Sequence, residues 1–288
     1  MSRFFLDLLE LIKIKILFAS ILTSCLGYIL SVEKSFLDWT VLFWGCFGLF
    51  FIFSAAAALN HFIERDIDVL MPRTQNRPLP SNRVTKGFVI TLVLVFIVIG
   101  SFILFNKSNF NVLLCSLITL FLYDFIYTPL KKVTSLNTFV GAIPGALPFF
   151  CGWYIGNPHL NFLAITVFLV FYFWQLPHFY SIAWINKESY EVGNLKMISV
   201  YDDNAVKTKP YLFYSSLIFI FVSYIPLYLN FFGLFYSIGI SVLNFVLFYN
   251  VYKFLDDVSY TSAKSILLSS ITYPPCILLF VLFDKVWL

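Results

Sequence analysis

Residues 87–105 read GFVITLVLVFIVIGSFILF, an unbroken apolar run without a charged side chain. A helix of about 20 apolar residues is long enough to cross the hydrocarbon core of a bilayer. The run lacks the alternation of apolar and polar residues that marks a barrel strand, and only helices and closed barrels satisfy their own backbone groups in lipid. The stretch therefore predicts a membrane-spanning helix.

The whole chain shares this apolar character. Its 288 residues are 60% hydrophobic, 20% aromatic and only 12% charged, whereas soluble proteins carry about 25% charged residues. We therefore expect an all-α polytopic membrane protein, with nine transmembrane helices in one bundle and a single domain over residues 1–288. The polar breaks in the sequence place these nine spans at roughly 14–32, 40–62, 87–105, 110–129, 136–155, 162–185, 210–229, 233–254 and 264–283.

Positive charge is distributed unevenly between the two ends of these spans. Of the 19 Lys and Arg residues, 16 fall on one side, and only Lys34, Lys107 and Lys285 fall on the other. Because positive residues favour the cytoplasm, we expect the N-terminus and two long loops, about 63–86 and 186–209, to be cytoplasmic and the C-terminus to lie outside. The net charge of +4 then serves topology in a bacterial cytoplasmic (inner) membrane, and no nucleic acid is expected as a partner.

The first apolar run also bears on processing of the chain. It includes Lys13 and Lys15 and leads into further spans rather than into a small-residue cleavage site. We therefore expect no cleavable signal. The five cysteines lie scattered in apolar runs without a CxxC pair, and we interpret them as packing residues.

The second predicted span runs into a polar stretch, AAAALNHFIERDIDVLMPRTQNRPLPS at residues 55–81. If the helix continues through it, Asn60, Glu64 and Asp68 follow one another at intervals of four residues, which places their oxygens within an arc of about 80 degrees. Mg²⁺ takes oxygen ligands and is usually held by one or two carboxylates together with substrate phosphates. The pattern predicts a magnesium-diphosphate site on this face, which we call the acidic stripe, with Asp66 pointing away from it.

Two arginines, Arg73 and Arg77, follow the acidic stripe directly. Arginine binds phosphate oxygens in a bidentate fashion, so we expect this pair to neutralise a departing diphosphate. The alternative is a solvated membrane border whose charges only fix topology. Such a border rarely combines a one-face acidic stripe with paired arginines.

A second basic cluster follows the fourth predicted span. Lys131 and Lys132 fall at the level of the acidic stripe, and Asn137 lies near the start of the next span. They are expected to close over the same diphosphate, although Lys132 is equally consistent with an ordinary positive anchor. Asp124 lies about two turns inside the hydrocarbon, where an ionisable residue is by default functional or paired.

The sixth predicted span is unusually polar and aromatic, reading FYFWQLPHFYSIAWINKESYEVGNLKM over residues 171–197. Trp174, Gln175 and His178 each need a polar partner in a low dielectric. For His178, a hydrogen bond to a neighbouring helix is the ordinary interpretation and ligand binding is the alternative. Glu188 lies near the cytoplasmic end, where we expect it to face the acidic stripe as a second acidic site.

Together these stretches resemble the intramembrane aromatic prenyltransferase superfamily and, within it, the protoheme IX farnesyltransferase (heme O synthase) branch. The acidic motif N-x3-D-x3-D has Glu64 in place of its first Asp. The family's Asp-Tyr after the sixth span reads Ser189-Tyr190, which leaves Glu188 as a substitute ligand. The remaining matches are RT-x2-RPLP at 73–80, YT-x-LKR-x-T-x2-N-x3-G at 127–141 with lysine for arginine at 132, and WQ-x-PHF at 174–179.

The resemblance implies transfer of a farnesyl group from farnesyl diphosphate to a vinyl group of heme b, with water addition, giving heme O and diphosphate. Heme b is then a substrate rather than a cofactor, and a heme-copper oxidase or heme-pathway membrane proteins are candidate partners. Mg²⁺ would be held by Asn60, Glu64, Asp68 and Glu188. The implied catalytic residues are Asn60, Glu64, Asp68, Arg73, Arg77 and Lys131, and the implied substrate-binding residues are Tyr127, Lys132, Asn137, Trp174, Gln175, His178 and Tyr190.

Three other functions are compatible with parts of the sequence. A prenyltransferase for a quinone-type aromatic acceptor would share the acidic stripe but lack the WQ-x-PHF segment. A secondary transporter would use Asp124 and His178 as coupling residues, but it would not need paired arginines beside an acidic stripe. A non-catalytic membrane assembly factor is the third alternative, since Glu64 and Ser189 depart from the family pattern.

Overall fold

The computed structural model describes residues 3–287, without the side chains of residues 286 and 287. Within this range the chain is helical. The helices are α1 (Arg3–Leu11), α2 (Ile14–Ser31), α3 (Trp39–Asp68), α4 (Lys86–Lys107), α5 (Phe110–Phe121), α6 (Thr128–Leu130), α7 (Asn137–Gly156), α8 (Phe162–Ile185), α9 (Lys187–Val192), α10 (Thr208–Tyr228), α11 (Leu234–Asp256), α12 (Tyr260–Ile271) and α13 (Tyr273–Trp287).

Nine segments of the described chain are long and apolar enough to cross a membrane. The prediction of an all-α polytopic membrane protein is therefore confirmed. One boundary is wrong: α3 continues to Asp68, so the first long loop begins at residue 69 rather than at about 63. Asp38 caps the start of this helix, its carboxylate accepting a hydrogen bond from the Thr40 amide at 2.8 Å, and no Pro occurs between residues 39 and 68 to end it.

Two of the spans are not regular α-helices. In the fourth, a π-helical segment, Leu122–Tyr127, joins α5 to α6, and the Thr128 hydroxyl donates to the Tyr123 carbonyl at 2.8 Å. The ninth is divided between α12 and α13 around Thr272, just before Pro274 and Pro275, which have no amide hydrogen to donate. Neither irregularity is visible in hydropathy.

Small residues determine how closely α2 and α7 approach. A Cβ added at Gly152 would lie 1.8 Å from the Ser24 carbonyl oxygen, and one at Gly27 would lie 2.1 Å from the Phe149 carbonyl oxygen. The Ser24 hydroxyl also donates to the Pro148 carbonyl at 2.8 Å. Helices pack this closely in membranes only where such residues allow it. Buried apolar residues of α2–α5 form one core, and those of α8 and α10–α13 form another. Helix α7 contributes residues to both.

The N-terminal helix α1 precedes the first span and is not predicted from the sequence. Lys13, between α1 and α2, has left-handed backbone angles, φ 50° and ψ 54°, a conformation that costs a non-glycine residue about 1–2 kcal/mol. On α1, Asp7 accepts a hydrogen bond from Arg83 of the first long loop at 2.8 Å. This contact ties α1 to the end of the bundle where α3 terminates.

Candidate active site

The acidic stripe occupies an interior face of α3. Asn60 and Asp68 are fully buried, and the Glu64 side chain is 13% exposed. Asp66 points away, as predicted: its side chain is 76% exposed and pairs with Arg65 at 3.3 Å. The continuation of α3 to Asp68 is what places three oxygen-bearing side chains on one face at successive turns.

Each residue of the acidic stripe contacts one cationic side chain, and the three cations come from three different segments. Lys13 lies at the α1–α2 break, Arg77 in the first long loop, and Lys131 just after α6. The hydrogen bonds are Lys13 Nζ to Asn60 Oδ1 at 2.5 Å, Lys131 Nζ to Glu64 Oε1 at 2.8 Å, and Arg77 to Asp68 Oδ2 at 2.7 Å. Arg77 and Lys131 thus lie beside the acidic stripe, and their predicted contact with a diphosphate stays a prediction.

The two lysines experience different electrostatic environments. Burial opposes the charge on Lys131, but the adjacent Glu64 carboxylate outweighs that effect and raises the pKa of this ammonium. Burial lowers the pKa of Lys13 to about 8; Glu64 and Asp124 favour its charge, whereas Arg77 and Lys131 oppose it. Lys131 therefore keeps its proton and its positive charge firmly, whereas Lys13 loses its proton more readily.

Lys13 is the residue of this cluster that the sequence did not indicate. In the sequence it is one of 16 lysines and arginines assigned to the cytoplasmic side, and nothing distinguishes it from an anchor. Its side chain enters the site because the left-handed conformation at residue 13 redirects the chain. The only feature of the sequence that could have pointed to Lys13 is that it lies inside the first apolar run.

Other predicted residues lie at the exposed side of this cluster. Arg73 is exposed, and its guanidinium lies 5.7 Å from the centre of the Tyr190 ring. Lys132 and Glu188 are also exposed. Arg73 and Tyr190 are thus brought together. The roles proposed for Lys132 and Glu188 remain predictions.

Asn137 connects the site to the second long loop. Its side-chain amide donates to the Lys196 carbonyl at 3.0 Å, and the Lys196 amide donates to the Lys131 carbonyl at 2.6 Å. The loop itself contains α9 and a short 3₁₀ turn, Asp203–Ala205. Within the described part of the chain, Asn137 Oδ1 is buried and has no hydrogen-bond partner, which leaves it available to a ligand.

The polar residues of α8 pack against α7 and α12. The Trp174 indole donates to the Ser270 carbonyl at 2.8 Å, and His178 Nδ1 lies 2.9 Å from the Ser270 hydroxyl. The Trp174 and His178 rings stack with their centres 5.2 Å apart. Gln175 occupies the space that a side chain at Gly145 would fill, since a Cβ there would lie 2.0 Å from Gln175 Oε1. His178 thus makes the ordinary contact to a neighbouring helix, and this contact involves only one of its ring nitrogens.

Tyr127 joins this segment to the charged cluster. The Lys131 ammonium lies 4.5 Å from the centre of the Tyr127 ring. The same ring stacks with that of Phe179, with the ring centres 6.4 Å apart and the planes 8° from parallel. A Cβ at Gly141 would lie 2.4 Å from the Tyr127 ring, so this glycine makes room for it. A continuous series of contacts therefore runs from the acidic stripe to the α8 segment.

The donor set of the acidic stripe fits a hard divalent cation. Among the described residues there is no group of three or more His, Cys, Asp or Glu side chains that could hold a metal. Asp68 Oδ1 is nevertheless buried without a hydrogen-bond partner there, on the face of α3 that also carries Asn60 and Glu64. A magnesium ion held by few protein oxygens, with phosphate oxygens completing its shell, suits this arrangement.

The chain is similar in sequence to known prenyltransferases. Residues 20–271 match the profile of the UbiA prenyltransferase family. A protoheme IX farnesyltransferase from Cytophaga hutchinsonii is 30% identical over 96% of this chain and 97% of that protein. One from Flavobacterium johnsoniae is 38% identical, over 67% of this chain and 65% of that protein, so the chain spans slightly less than two thirds of this second relative.

Solved structures share the fold at low sequence identity. A structure of digeranylgeranylglyceryl phosphate synthase superposes with a TM-score of 0.78 and 17% identity, over 100% of both chains. A UbiA homolog from Archaeoglobus fulgidus bound to DMAPP and Mg²⁺ gives a TM-score of 0.68 and 15% identity, over 94% of this chain and 99% of that one. Similarity at this level establishes the architecture of the helical bundle.

Proposed function

The chain belongs to the UbiA prenyltransferase family, and from this membership we propose that it transfers a farnesyl group from farnesyl diphosphate to a vinyl group of heme b. Water adds in the course of the reaction, and diphosphate leaves. The names of the Cytophaga and Flavobacterium relatives support the farnesyl donor and the heme acceptor. The Archaeoglobus structure with DMAPP and Mg²⁺ supports a magnesium-bound prenyl diphosphate.

The observation that carries this proposal is that Tyr127 contacts two chemically different groups. One is Lys131, which is bonded to Glu64 of the acidic stripe. The other is Phe179, next to His178 in the segment that the heme-farnesylating branch contains. A diphosphate at the acidic stripe would therefore lie near an acceptor bound along α8. A quinone-type enzyme is expected to lack that α8 segment.

The charged residues suit the first step, in which the bond between the farnesyl C1 and the diphosphate oxygen breaks. The diphosphate takes the electron pair, and Arg77 and Lys131 stabilise the negative charge that develops on it. When bound, magnesium would supply further Lewis-acid stabilisation of the same oxygens, and Asn60, Glu64 and Asp68 would hold it.

The aromatic residues suit the second step, in which the vinyl group forms a bond to the farnesyl C1. The ring faces of Tyr127 and Phe179 stabilise positive charge on the allyl carbons by cation-π attraction. Water then adds to the cation left on the former vinyl group and loses a proton, which gives the hydroxyl of the product. Asn137, Trp174, Gln175, His178 and Tyr190 remain proposed contacts for the two substrates.

The charge distribution supports a cellular location for this reaction. With 16 of 19 cationic residues at the site end of the predicted spans, we place the site on the cytoplasmic side of a bacterial inner membrane. Farnesyl diphosphate has a long apolar chain and heme b a large, flat apolar ring, so both would enter from the bilayer. A membrane protein of the heme pathway, or a heme-copper oxidase that uses the product, is the proposed partner.

A direct assay tests the function. Membranes containing the full chain are supplied with heme b, farnesyl diphosphate and Mg²⁺, and the heme fraction is analysed by mass spectrometry. We expect a farnesylated, hydrated heme from the parent and from Asp66→Ala, whose exposed carboxylate is on the same helix. Asp68→Ala should lower product formation about 100-fold, the loss typical of a missing charge-stabilising group. Absence of product from the parent, or equal rates for both variants, would contradict the proposal.

A further inference from the structure

Asp124 is a buried acid for which the proposed reaction has no role. It lies in the π-helical segment of the fourth span and is 0% exposed. Within residues 3–287, neither of its carboxylate oxygens has a hydrogen-bond partner, although both are buried. An ionisable residue deep in a membrane protein is normally paired or functional, so this unpartnered carboxyl group calls for a role.

Lys13 is the cation best placed to become that partner. Its ammonium donates to Asn60 Oδ1, and also to the hydroxyl of Tyr123, the residue before Asp124, at 3.3 Å. A lysine ammonium has three donors, and these two bonds use two of them. Asp124 also lies close enough to Lys13 to interact with it electrostatically.

The contact between Lys13 and Asn60 conflicts with metal binding. Asn60 Oδ1 is the atom that the acidic stripe would offer to a magnesium ion, and Lys13 donates a hydrogen bond to it. An ammonium bonded to that oxygen repels a divalent cation at the same atom. We therefore expect Lys13 to move away when the metal binds, and its flexible four-carbon stem allows this.

We propose that Asp124 is a positioning residue that accepts the Lys13 ammonium when a divalent metal takes Asn60. The transfer moves one positive charge from the metal ligand to a buried carboxylate and pairs that carboxylate in the loaded state. The π-helical geometry supports the role, because such segments displace side chains from α-helical register and recur at functional sites. This inference rests on the proposed function for the identity of the metal-binding residues.

A double-mutant cycle on metal binding tests the proposal. The full chain, purified in detergent, is titrated with Mn²⁺ at a fixed concentration of inorganic diphosphate, and bound Mn²⁺ is measured by electron paramagnetic resonance. Asp124→Asn should weaken Mn²⁺ binding about tenfold in the parent, because Lys13 then has no charged group to move to. In a Lys13→Met background the same change should alter binding by less than about twofold, because the competing ammonium is absent.

The outcomes separate this proposal from simpler ones. An equal effect of Asp124→Asn in both backgrounds would mean that Asp124 acts only through its own charge, and it would overturn the proposal, as would the absence of Mn²⁺ binding to the parent. If Asp124→Asn does not fold, Asp124→Ser removes the same charge with a smaller side chain. The cycle requires no turnover, so a failure to farnesylate heme would refute the proposed function without deciding this result.

Discussion

Lys131 and Lys132 are adjacent in sequence but lie in different surroundings. Lys131 is 14% exposed and bonds Glu64, whereas Lys132 is exposed. We expect Lys131→Met to reduce heme farnesylation about 100-fold, because it removes a positive charge from the proposed diphosphate site. Lys132→Met should have a clearly smaller effect. The initial rate of product formation measures both.

Two further measurements distinguish loss of the Lys131 charge at the site from a general loss of positive charge or of stability. Lys264→Met removes an exposed lysine outside the site and controls for loss of positive charge alone. Thermal unfolding of the purified variants shows whether Lys131→Met only destabilises the bundle by leaving Glu64 buried and unpaired. Equal losses from Lys131→Met and Lys132→Met would mean that the basic pair acts as a surface patch.

The acidic stripe was predictable residue by residue, but its cations were only partly so. Helical periodicity alone places Asn60, Glu64 and Asp68 on one face. Arg77 and Lys131 follow from their proximity to membrane borders at the same level. Lys13 was not predictable, because a left-handed backbone at one residue, rather than a pattern, directs its side chain into the site.

At the scale of elements, the α2–α7 contact permits a sharp stability test. A Cβ at Gly152 would lie 1.8 Å from a backbone carbonyl, which cannot move aside as a side chain would. We expect Gly152→Ala to destabilise the protein by about 3 kcal/mol, at the upper end of the cost of overpacking. A shift of the thermal unfolding midpoint in detergent measures this cost.

Gly87→Ala is the matched control for that substitution. Gly87 lies in the first turn of α4, and a Cβ added there would have no neighbouring atom within 4 Å. Because alanine favours helix over glycine by about 1 kcal/mol, this variant should be neutral or slightly more stable. An unchanged midpoint for Gly152→Ala would contradict the close approach of α2 and α7.

Hydropathy predicted the positions of the spans well, but it did not predict where a span departs from a regular α-helix. It averages over about 20 residues, so it locates α4 or α8 but misses the π-helical segment and the break at Thr272, which depend on individual hydrogen bonds. It also ended the second span at residue 62, because Glu64 and Asp68 are charged. Those charges are buried among cations, so the helix continues where a polar border was expected.

For the whole molecule, the orientation in the membrane is a prediction that rests on charge. Lys86 begins α4 at the end of the bundle that holds the acidic stripe, and Lys107 ends α4 at the other. The first end carries 16 of the 19 lysines and arginines in the predicted arrangement. A cytoplasmic site end would also place the metal and the diphosphate in the compartment where both are plentiful.

Cysteine labelling decides this orientation. In a variant whose five native cysteines are replaced, single cysteines are introduced at Asp66 and Lys107, both exposed and at opposite ends of the α3–α4 hairpin. In right-side-out spheroplasts, a membrane-impermeant maleimide should label Lys107→Cys directly and Asp66→Cys only after permeabilisation. Labelling in the reverse order would place the acidic stripe outside the cell. The 16 to 3 charge separation would then have to arise from contacts within the bundle rather than from topology.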